Sequence, residues 1–152
     1  MNDSLKTLAT LALLSVLIIS ISGCTAQTSG DSATQTSGDS AKLSFVGGTS
    51  HPSDITTLLK KGPVVLYFGG SCKSCAEMKV IISHLESQYN GTGVTILRID
   101  PLKDSTRKDV NYGITTIPAT VVIRSDGAVA KSIGTTDEQT LKNTIEDARQ
   151  WK

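Results

Sequence analysis

The sequence predicts an α/β fold in which a central mixed sheet is flanked by helices. From residue 42 onward, segments with strand character alternate with segments of helical periodicity in the order βαβαβαββα. The unbroken apolar run Val64–Phe68 is typical of a strand that is buried on both faces. Asp126-Gly127 lies between the last two strands and is a strong hairpin signal, so the sheet also contains antiparallel strands.

The first part of the predicted domain leads into this apolar run. Leu43–Val46 is predicted to be a short edge strand. Ser53–Lys61 is predicted to be a helix whose apolar residues share one face, with Gly62 as its C-terminal cap. Pro63 then begins the central strand.

The next helix is predicted from the spacing of its apolar residues. From Ser74 onward these recur at i, i+3, i+4, i+7 and i+11, which marks the core-facing side of a helix: Met78, Ile81, Ile82, Leu85 and Tyr89. Val94–Ile99 is predicted to be the following strand. Asp104–Tyr112 is predicted to be a short polar helix.

The C-terminal part is predicted to be a hairpin followed by a helix. The two strands are Thr120–Ile123 and Ala128–Ser132. The last helix opens with a capping-box pattern that runs from Thr136 to Gln139. Its buried side consists of Leu141, Ile145 and Ala148.

The overall composition fits one globular domain with additional segments. The chain has 152 residues, a formal net charge of +1 and 4% aromatic residues. A net charge near zero without a basic stripe argues against a nucleic-acid partner. We therefore expect no binding to nucleic acids.

Residues 1–23 are predicted to be a signal peptide. Leu8–Ile21 is an almost continuous apolar run, which is shorter than the roughly 20 residues that span a bilayer. It ends in Ile21-Ser22-Gly23-Cys24, which resembles the lipobox of prokaryotic lipoproteins. That resemblance implies that Cys24 is acylated and becomes the first residue of a lipid-anchored chain at the cell membrane, with its domain on the extracytoplasmic side. The alternative is an uncleaved short membrane anchor.

Residues 24–41 are predicted to be the lipidated Cys24 and a disordered Thr/Ser/Gly linker. The segment Ala26–Ala33 is repeated almost unchanged as Thr34–Ala41, and both copies are polar. Such a sequence buries too little apolar surface to offset the entropy of the chain. About 16 flexible residues reach roughly 20–25 Å, which holds a small domain just off a membrane surface.

Cys72 and Cys75 form a Cys-x-x-Cys pair at the point where the central strand passes into a helix. The first turn of a helix presents free N–H groups and the positive end of the macrodipole, which favour a thiolate. Lys73 adds a local positive charge, so Cys72 is predicted to be the nucleophile. One helical turn brings residues i and i+3 to about the Cα separation that a disulfide needs, roughly 4.4–6.8 Å. Cys75 can therefore close a reversible disulfide.

Two other roles for the pair remain open, a zinc half-site and a purely structural disulfide. Zinc needs two more ligands, and the candidates His51, His84 and Cys24 do not have a paired ligand spacing, so we predict no metal site. A bridge across one helical turn closes a very short loop and adds little stability. His51 is predicted to lie beside a helix start and His84 on the surface.

Residues 42–152 resemble the thioredoxin family. The resemblance rests on three parts in the family's order: Cys72-Lys73-Ser74-Cys75 after a strand, Tyr112-Gly113-Ile114-Thr115-Thr116-Ile117-Pro118, and Ser125-Asp126-Gly127 with Gly134 beyond it. It implies a thioredoxin-like fold and protein-disulfide oxidoreductase activity, with the redox-active disulfide Cys72–Cys75 and no other cofactor. It also implies a cis peptide bond before Pro118, which lies against the disulfide, and a backbone at Ile117 that binds an extended substrate strand. Lys73, Ile117 and Pro118 are the predicted substrate-binding residues.

Several positions depart from the thioredoxin pattern. Ser71 stands where a Trp usually precedes the first Cys, and Lys73-Ser74 replaces the usual Gly-Pro. Leu66 aligns with a buried Asp, and Ile96 aligns approximately with the Lys that accompanies it. These two replacements remove the usual proton route to the second Cys. Their joint loss is physically consistent, because either charge alone in a core is costly.

Three classes of function follow, and a membrane-tethered, extracytoplasmic thiol–disulfide oxidoreductase is the leading one. Its partners are expected to be protein thiols or disulfides and a membrane or extracytoplasmic redox partner, and the protein itself is expected to be a monomer. The second class is a soft-metal chaperone that binds Cu(I) through the two thiolates. The third is a thioredoxin-like binding module without turnover.

Overall fold

The computed structural model of the protein describes residues 41–151. The predicted signal peptide, Cys24 and the linker up to residue 40 lie outside these residues. Among the helices described, none is long and apolar enough to cross a membrane.

Four helices and four strands make up the described part of the chain. In chain order they are α1 (Ser53–Leu59), β1 (Val64–Phe68), α2 (Lys73–Tyr89), β2 (Thr95–Ile99), α3 (Lys108–Asn111), β3 (Ala119–Ile123), β4 (Val129–Ile133) and α4 (Glu138–Gln150). The sheet has the order β2-β1-β3-β4, in which β1 and β2 are parallel and the other neighbours are antiparallel. The predicted fold class, a mixed sheet flanked by helices, is confirmed.

The central strand β1 is buried along its whole length. Leu66 and Phe68 belong to a hydrophobic cluster on the face of the sheet next to α1. Val65 and Tyr67 belong to a second cluster, on the other face, with side chains of α2 and α4: Met78, Ile82, Leu85, Tyr89, Leu141, Ile145 and Ala148. Because each large apolar side chain contributes about 1.5–3 kcal/mol when it is fully buried, β1 holds a fixed position for the residues that follow it.

The apolar stripe predicted for α2 lies against the sheet. Met78, Ile82, Leu85 and Tyr89 are buried, and Ile81 is half-buried. The helix begins at Lys73, one residue before the predicted start. Packing of this face therefore fixes the distance between the sheet and the first turn of α2.

The predicted edge strand Leu43–Val46 is wrong in extent. Only Val46 pairs with the sheet, through two backbone hydrogen bonds of 2.8 Å with Val129. The N–H of Leu43 donates instead to the hydroxyl of Thr144 at 2.9 Å. Because the backbone of Leu43 bonds to a side chain of α4 instead of to β4, no ladder extends from the bridge back to Leu43.

The helix predicted for Asp104–Tyr112 is shorter in the structure and spans Lys108–Asn111. The carboxylate of Asp104 accepts hydrogen bonds from the backbone N–H groups of Thr106 at 3.1 Å and Lys108 at 2.9 Å. Arg107 then adopts a left-handed conformation with a φ of 52°. An Asp side chain that bonds nearby N–H groups favours a turn over a helix, so the helical turn starts late.

Two predicted helix ends also differ from the structure. The N-cap of α4 is Asp137, whose carboxylate accepts from the N–H of Thr140 at 2.8 Å, rather than Thr136. Helix α1 ends at Leu59, so Gly62 is not its cap. A Cβ at Gly62 would lie 2.4 Å from the carbonyl oxygen of Gly93, so glycine is needed there for close approach of two backbones.

The predicted Asp126-Gly127 hairpin joins β3 to β4. Gly127 has a φ of 85°, and the carboxylate of Asp126 accepts from the N–H of Ala128 at 3.0 Å. At the same end of β3, the guanidinium of Arg124 lies 3.7 Å from the ring centre of Trp151 and 4.8 Å from that of Phe45. These cation–π contacts hold both ends of the domain against the hairpin.

His51 lies beside the start of α1, as predicted, and its ring also contacts two other segments of the chain. One ring nitrogen lies 2.8 Å from the carbonyl oxygen of Gly127, so this nitrogen donates the hydrogen bond. The other lies 3.0 Å from the hydroxyl of Tyr112. The ring therefore connects the segment before α1 to the hairpin and to the end of α3. The N-cap position of α1 is Pro52, which has no side-chain hydrogen bond.

The single tryptophan, Trp151, is expected to be a poor fluorescence reporter of the redox state of the cysteine pair. Arg124, on which it stacks, follows the end of β3 that pairs with the start of β1, whereas Cys72 follows the end of β1. A five-residue strand separates the two ends by about 15 Å. Emission should change little on reduction with dithiothreitol. A several-fold rise would mean that Trp151 lies beside Cys72.

Candidate active site

The cysteine pair lies at the junction between the central strand β1 and the helix α2. Backbone pairing with β2 continues one residue past β1, because the N–H of Gly69 donates to the carbonyl of Ile99 at 3.0 Å. The chain turns over Gly70 and Ser71, and α2 begins at Lys73 with Cys72 as its N-cap. Cys72 therefore occupies the position at which Ser or Asp side chains usually accept from free helix N–H groups.

The sulfur of Cys72 accepts a hydrogen bond from the backbone N–H of Cys75 at 3.0 Å. The two residues form a disulfide, and their Cα atoms are 5.0 Å apart, within the separation predicted from the helical spacing. Cys72 is half-buried, whereas Cys75 is fully buried. Of the two sulfurs, that of Cys72 is therefore the one accessible to another molecule.

Ser74 provides a second hydrogen-bond donor to the same sulfur. Its hydroxyl oxygen lies 3.3 Å from the sulfur of Cys72, and because a disulfide sulfur carries no hydrogen, the hydroxyl donates. Lys73 is exposed beside it, and the first turn of α2 contains no acidic residue. The N–H group, the hydroxyl and the positive end of the helix all favour negative charge on the sulfur of Cys72.

Ile117 and Pro118 lie at the same edge of the sheet as the cysteine motif. Pro118 precedes β3, whose first residue pairs with Phe68, the last residue of β1. The Ile117–Pro118 peptide bond is cis, as the resemblance implied. A Cβ at Gly70 would lie 3.0 Å from the terminal methyl of Ile117, so this side chain rests against the turn that precedes Cys72. The predicted substrate-binding residues Ile117 and Pro118 therefore lie at the same edge of the sheet as the predicted catalytic residues Cys72 and Cys75.

Leu66 lies across the strand pair from Leu97, not from Ile96. Leu66 and Leu97 face one hydrophobic cluster, whereas Ile96 packs against the other. Leu97, rather than Ile96, is thus the residue of β2 that shares a face of the sheet with Leu66. Leu66 and Leu97 are both apolar, so neither carries a charge in the core.

Tyr67 is a contact of the cysteine motif that the sequence analysis did not identify. Its hydroxyl donates to the carbonyl oxygen of Cys75 at 2.9 Å, inside the core. The residue was interpreted only as part of an apolar run. The available signal was the hydroxyl itself, since a buried tyrosine usually needs a hydrogen-bond partner.

The histidines lie apart from the thiols. His84 is on the exposed side of α2 and lies 3.2 Å from a carboxylate oxygen of Glu138. His51 contacts Tyr112 and Gly127, as described above. Within residues 41–151, no group of three or more His, Cys, Asp or Glu side chains is arranged to hold a metal ion.

The fold and the cysteine pair define a thioredoxin-like redox domain. The sequence model of the thioredoxin family matches residues 48–147, which is more than half of the chain. This protein therefore belongs to the thioredoxin family. No curated protein matches its sequence.

Solved thioredoxin structures share the fold. Oxidised mitochondrial thioredoxin 3 from Saccharomyces cerevisiae is 22% identical, with a TM-score of 0.53 over 62% of this chain and 88% of that chain. Fasciola hepatica thioredoxin is 20% identical, with a TM-score of 0.54 over 62% and 88% of the two chains. A mutant thioredoxin from Halobacterium salinarum is 19% identical, with a TM-score of 0.55 over 68% and 89%.

Replacing Ser74 by alanine should make Cys72 less reactive near neutral pH. The variant loses a donor to the sulfur, so the thiolate forms at higher pH. We expect the pH profile for alkylation of Cys72 in the reduced protein to move up by about 0.5–1 pH unit. Peptide mass mapping separates Cys72 from the other cysteines. Ser83→Ala is the matched control, because that hydroxyl donates to the carbonyl of Lys79 farther along α2. Equal profiles for the two variants would exclude this role for Ser74.

Proposed function

We propose that this protein is a membrane-tethered, extracytoplasmic thiol–disulfide oxidoreductase that acts on protein substrates. The observation that carries the proposal is the asymmetry of the cysteine pair. Cys72 is accessible at the N-terminus of α2, and Cys75 is buried within bonding distance of it. This arrangement suits a nucleophile that attacks another molecule and a second thiol that attacks only the first.

In the reducing direction, the thiolate of Cys72 attacks one sulfur of a substrate disulfide. A bond forms between Cys72 and that sulfur, the substrate S–S bond breaks, and the departing sulfur takes up a proton. The thiolate of Cys75 then attacks the sulfur of Cys72 and releases the second substrate thiol. The substrate gains two electrons, and Cys72–Cys75 is left as a disulfide. The same steps in reverse oxidise a dithiol.

Substrate positioning is assigned to Ile117, Pro118 and Lys73. The side chain of Ile117 is half-buried beside Gly70. Its exposed part offers a substrate an apolar contact near the turn that precedes Cys72. An extended substrate strand can pair with the backbone of Ile117, while Pro118 has no N–H group that competes for the substrate. The exposed ammonium of Lys73 adds a positive charge at the same rim.

The membrane attachment is assigned to Cys24. Acylation there would anchor the chain, and residues 25–41 would act as the tether between the lipid and the domain. A tether of this length allows the domain to reach substrates within roughly 20–25 Å of the membrane surface. The working unit is proposed to be a monomer.

Continued turnover requires a redox partner. Each reduction leaves Cys72–Cys75 oxidised, so a membrane or extracytoplasmic dithiol must return two electrons, or accept them if the protein oxidises its substrates. The chemistry needs no cofactor beyond the disulfide itself. No nucleic acid takes part.

The two cysteines are expected to behave differently when each is replaced. Reduced Cys75→Ser should accumulate a mixed disulfide with insulin, because Cys72 attacks and no second thiol resolves the adduct. Cys72→Ser should accumulate none. Both variants should lose acceleration of insulin reduction by dithiothreitol, down to the uncatalysed rate. Non-reducing electrophoresis and turbidity measure the two effects.

The contrary outcomes have separate meanings. A mixed disulfide that forms only with Cys72→Ser would reverse the two roles. A wild-type protein that does not accelerate insulin reduction or the oxidation of a reduced test protein would overturn the proposed activity.

The mature chain is expected to begin at an acylated Cys24. Intact mass of the protein extracted from membranes should lack residues 1–23 and include added acyl mass. Cys24→Ala should abolish both the processing and the acyl mass, whereas Ser22→Ala provides a neighbouring control. A full-length, unmodified mass for the unaltered protein would exclude the lipid anchor.

A further inference from the structure

The hydroxyl of Tyr67 lies at the base of the cysteine motif. Tyr67 is 1% exposed, and the other residues of β1 have purely apolar side chains. Its hydroxyl donates to the carbonyl oxygen of Cys75 at 2.9 Å. A hydroxyl buried in a core must find a partner to avoid a large desolvation cost, and here it finds one on the second cysteine.

Because Gly69 has no side chain, it leaves room for the hydroxyl of Tyr67. A Cβ at position 69 would be 2.3 Å from the hydroxyl oxygen of Tyr67 and 2.4 Å from the ring carbon that bears it. Such distances are far below van der Waals contact, so any other residue would push the ring away. The observed position of the Tyr67 ring therefore requires a glycine at position 69.

Cys75 is held at both ends of its backbone. Its carbonyl accepts from Tyr67, and its N–H group donates to the sulfur of Cys72 at 3.0 Å. We propose that Tyr67 is a positioning residue for the thiol–disulfide exchange proposed above, on which this inference rests. Its hydroxyl fixes the carbonyl of Cys75, and thereby keeps the N–H of Cys75 directed at the sulfur of Cys72.

The hydroxyl is a permanent donor under the conditions of the reaction. Burial raises the pKa of Tyr67, and the positive charge of Arg98 opposes this with a smaller effect. The group therefore keeps its proton throughout the pH range in which Cys72 becomes a thiolate. The hydrogen bond to Cys75 is present in that whole range.

The direction of the effect follows from the bond that Tyr67 supports. An N–H group directed at the sulfur stabilises the thiolate of Cys72, which exists only in the reduced protein. A stabilised reduced form makes a cysteine pair more oxidising. Tyr67 thus raises the reduction potential of the pair and lowers the pH at which Cys72 reacts.

The test uses full-length protein with Tyr67→Phe, which removes the hydroxyl and keeps the ring. Equilibration with glutathione buffers should show a shift of about threefold to tenfold toward the disulfide form. This shift corresponds to a potential that is roughly 15–30 mV more negative. The pH profile for alkylation of Cys72 should move to higher pH. Lys73, the neighbouring charge, is the same in both proteins.

The matched control is Tyr89→Phe. Tyr89 is also buried on the α2 side of the sheet, but its hydroxyl donates to Glu146 at 2.8 Å, at the far end of the helix. This variant should lose stability without any change in potential. Gly69→Ala is a second test variant, because displacement of the Tyr67 ring should shift the potential in the same direction as removal of its hydroxyl.

Two outcomes would overturn the proposal. One is an unchanged potential and alkylation profile in Tyr67→Phe, even if the protein is less stable, because the hydroxyl would then serve only the core. The other is an equal shift in Tyr89→Phe. Both measurements are made without a protein substrate, so they are independent of insulin reduction. If the wild-type protein accelerates neither insulin reduction nor the oxidation of a reduced test protein, but Tyr67→Phe shifts the potential, the proposed function fails and the positioning role stands.

Discussion

The hydrogen bond from the backbone N–H of Cys75 to the sulfur of Cys72 is the contact on which the site depends. It exists because the sulfur stands at the N-cap of α2, where helix N–H groups have no partner within the helix. A helix that started one residue earlier or later would direct these groups elsewhere. The reactivity of Cys72 is therefore a consequence of where the strand ends and the helix begins.

The sheet and the packing of α2 against it together hold this junction in place. The strand β1 is buried on both faces, and its pairing with β2 continues to Gly69. The buried stripe of α2 holds the helix over one of these faces, where the sulfur of Met78 also accepts from the N–H of Thr136 at 3.3 Å. The pairing of β3 with β1 brings the cis Ile117–Pro118 bond to the same edge.

The hydrogen bonds to the two cysteines come from the helix side of the sheet. On the opposite face, Leu66 and Leu97 are apolar and lie across from each other. On the helix side, the hydroxyls of Tyr67 and Ser74 bond to Cys75 and Cys72. Neutral donors do not carry the desolvation cost of a buried charge, so this arrangement avoids an ion pair in the core. The hydrogen bonds to the cysteines therefore come from nearby uncharged groups.

The sequence by itself determined the α/β class, the course of most elements, and the placement of Cys72 and Cys75 at a strand-to-helix junction, because these depend on short-range periodicity and spacing. It misplaced the strand near Leu43 and the start of α3, since pairing to a sheet edge and an Asp-centred turn depend on contacts that periodicity does not register. Only the tertiary structure decided which residue lies across from Leu66 and where the hydroxyl of Tyr67 donates. Both depend on how β1 is placed against β2 and against α2. A local sequence pattern does not specify the register of two strands or the distance between a strand and a helix.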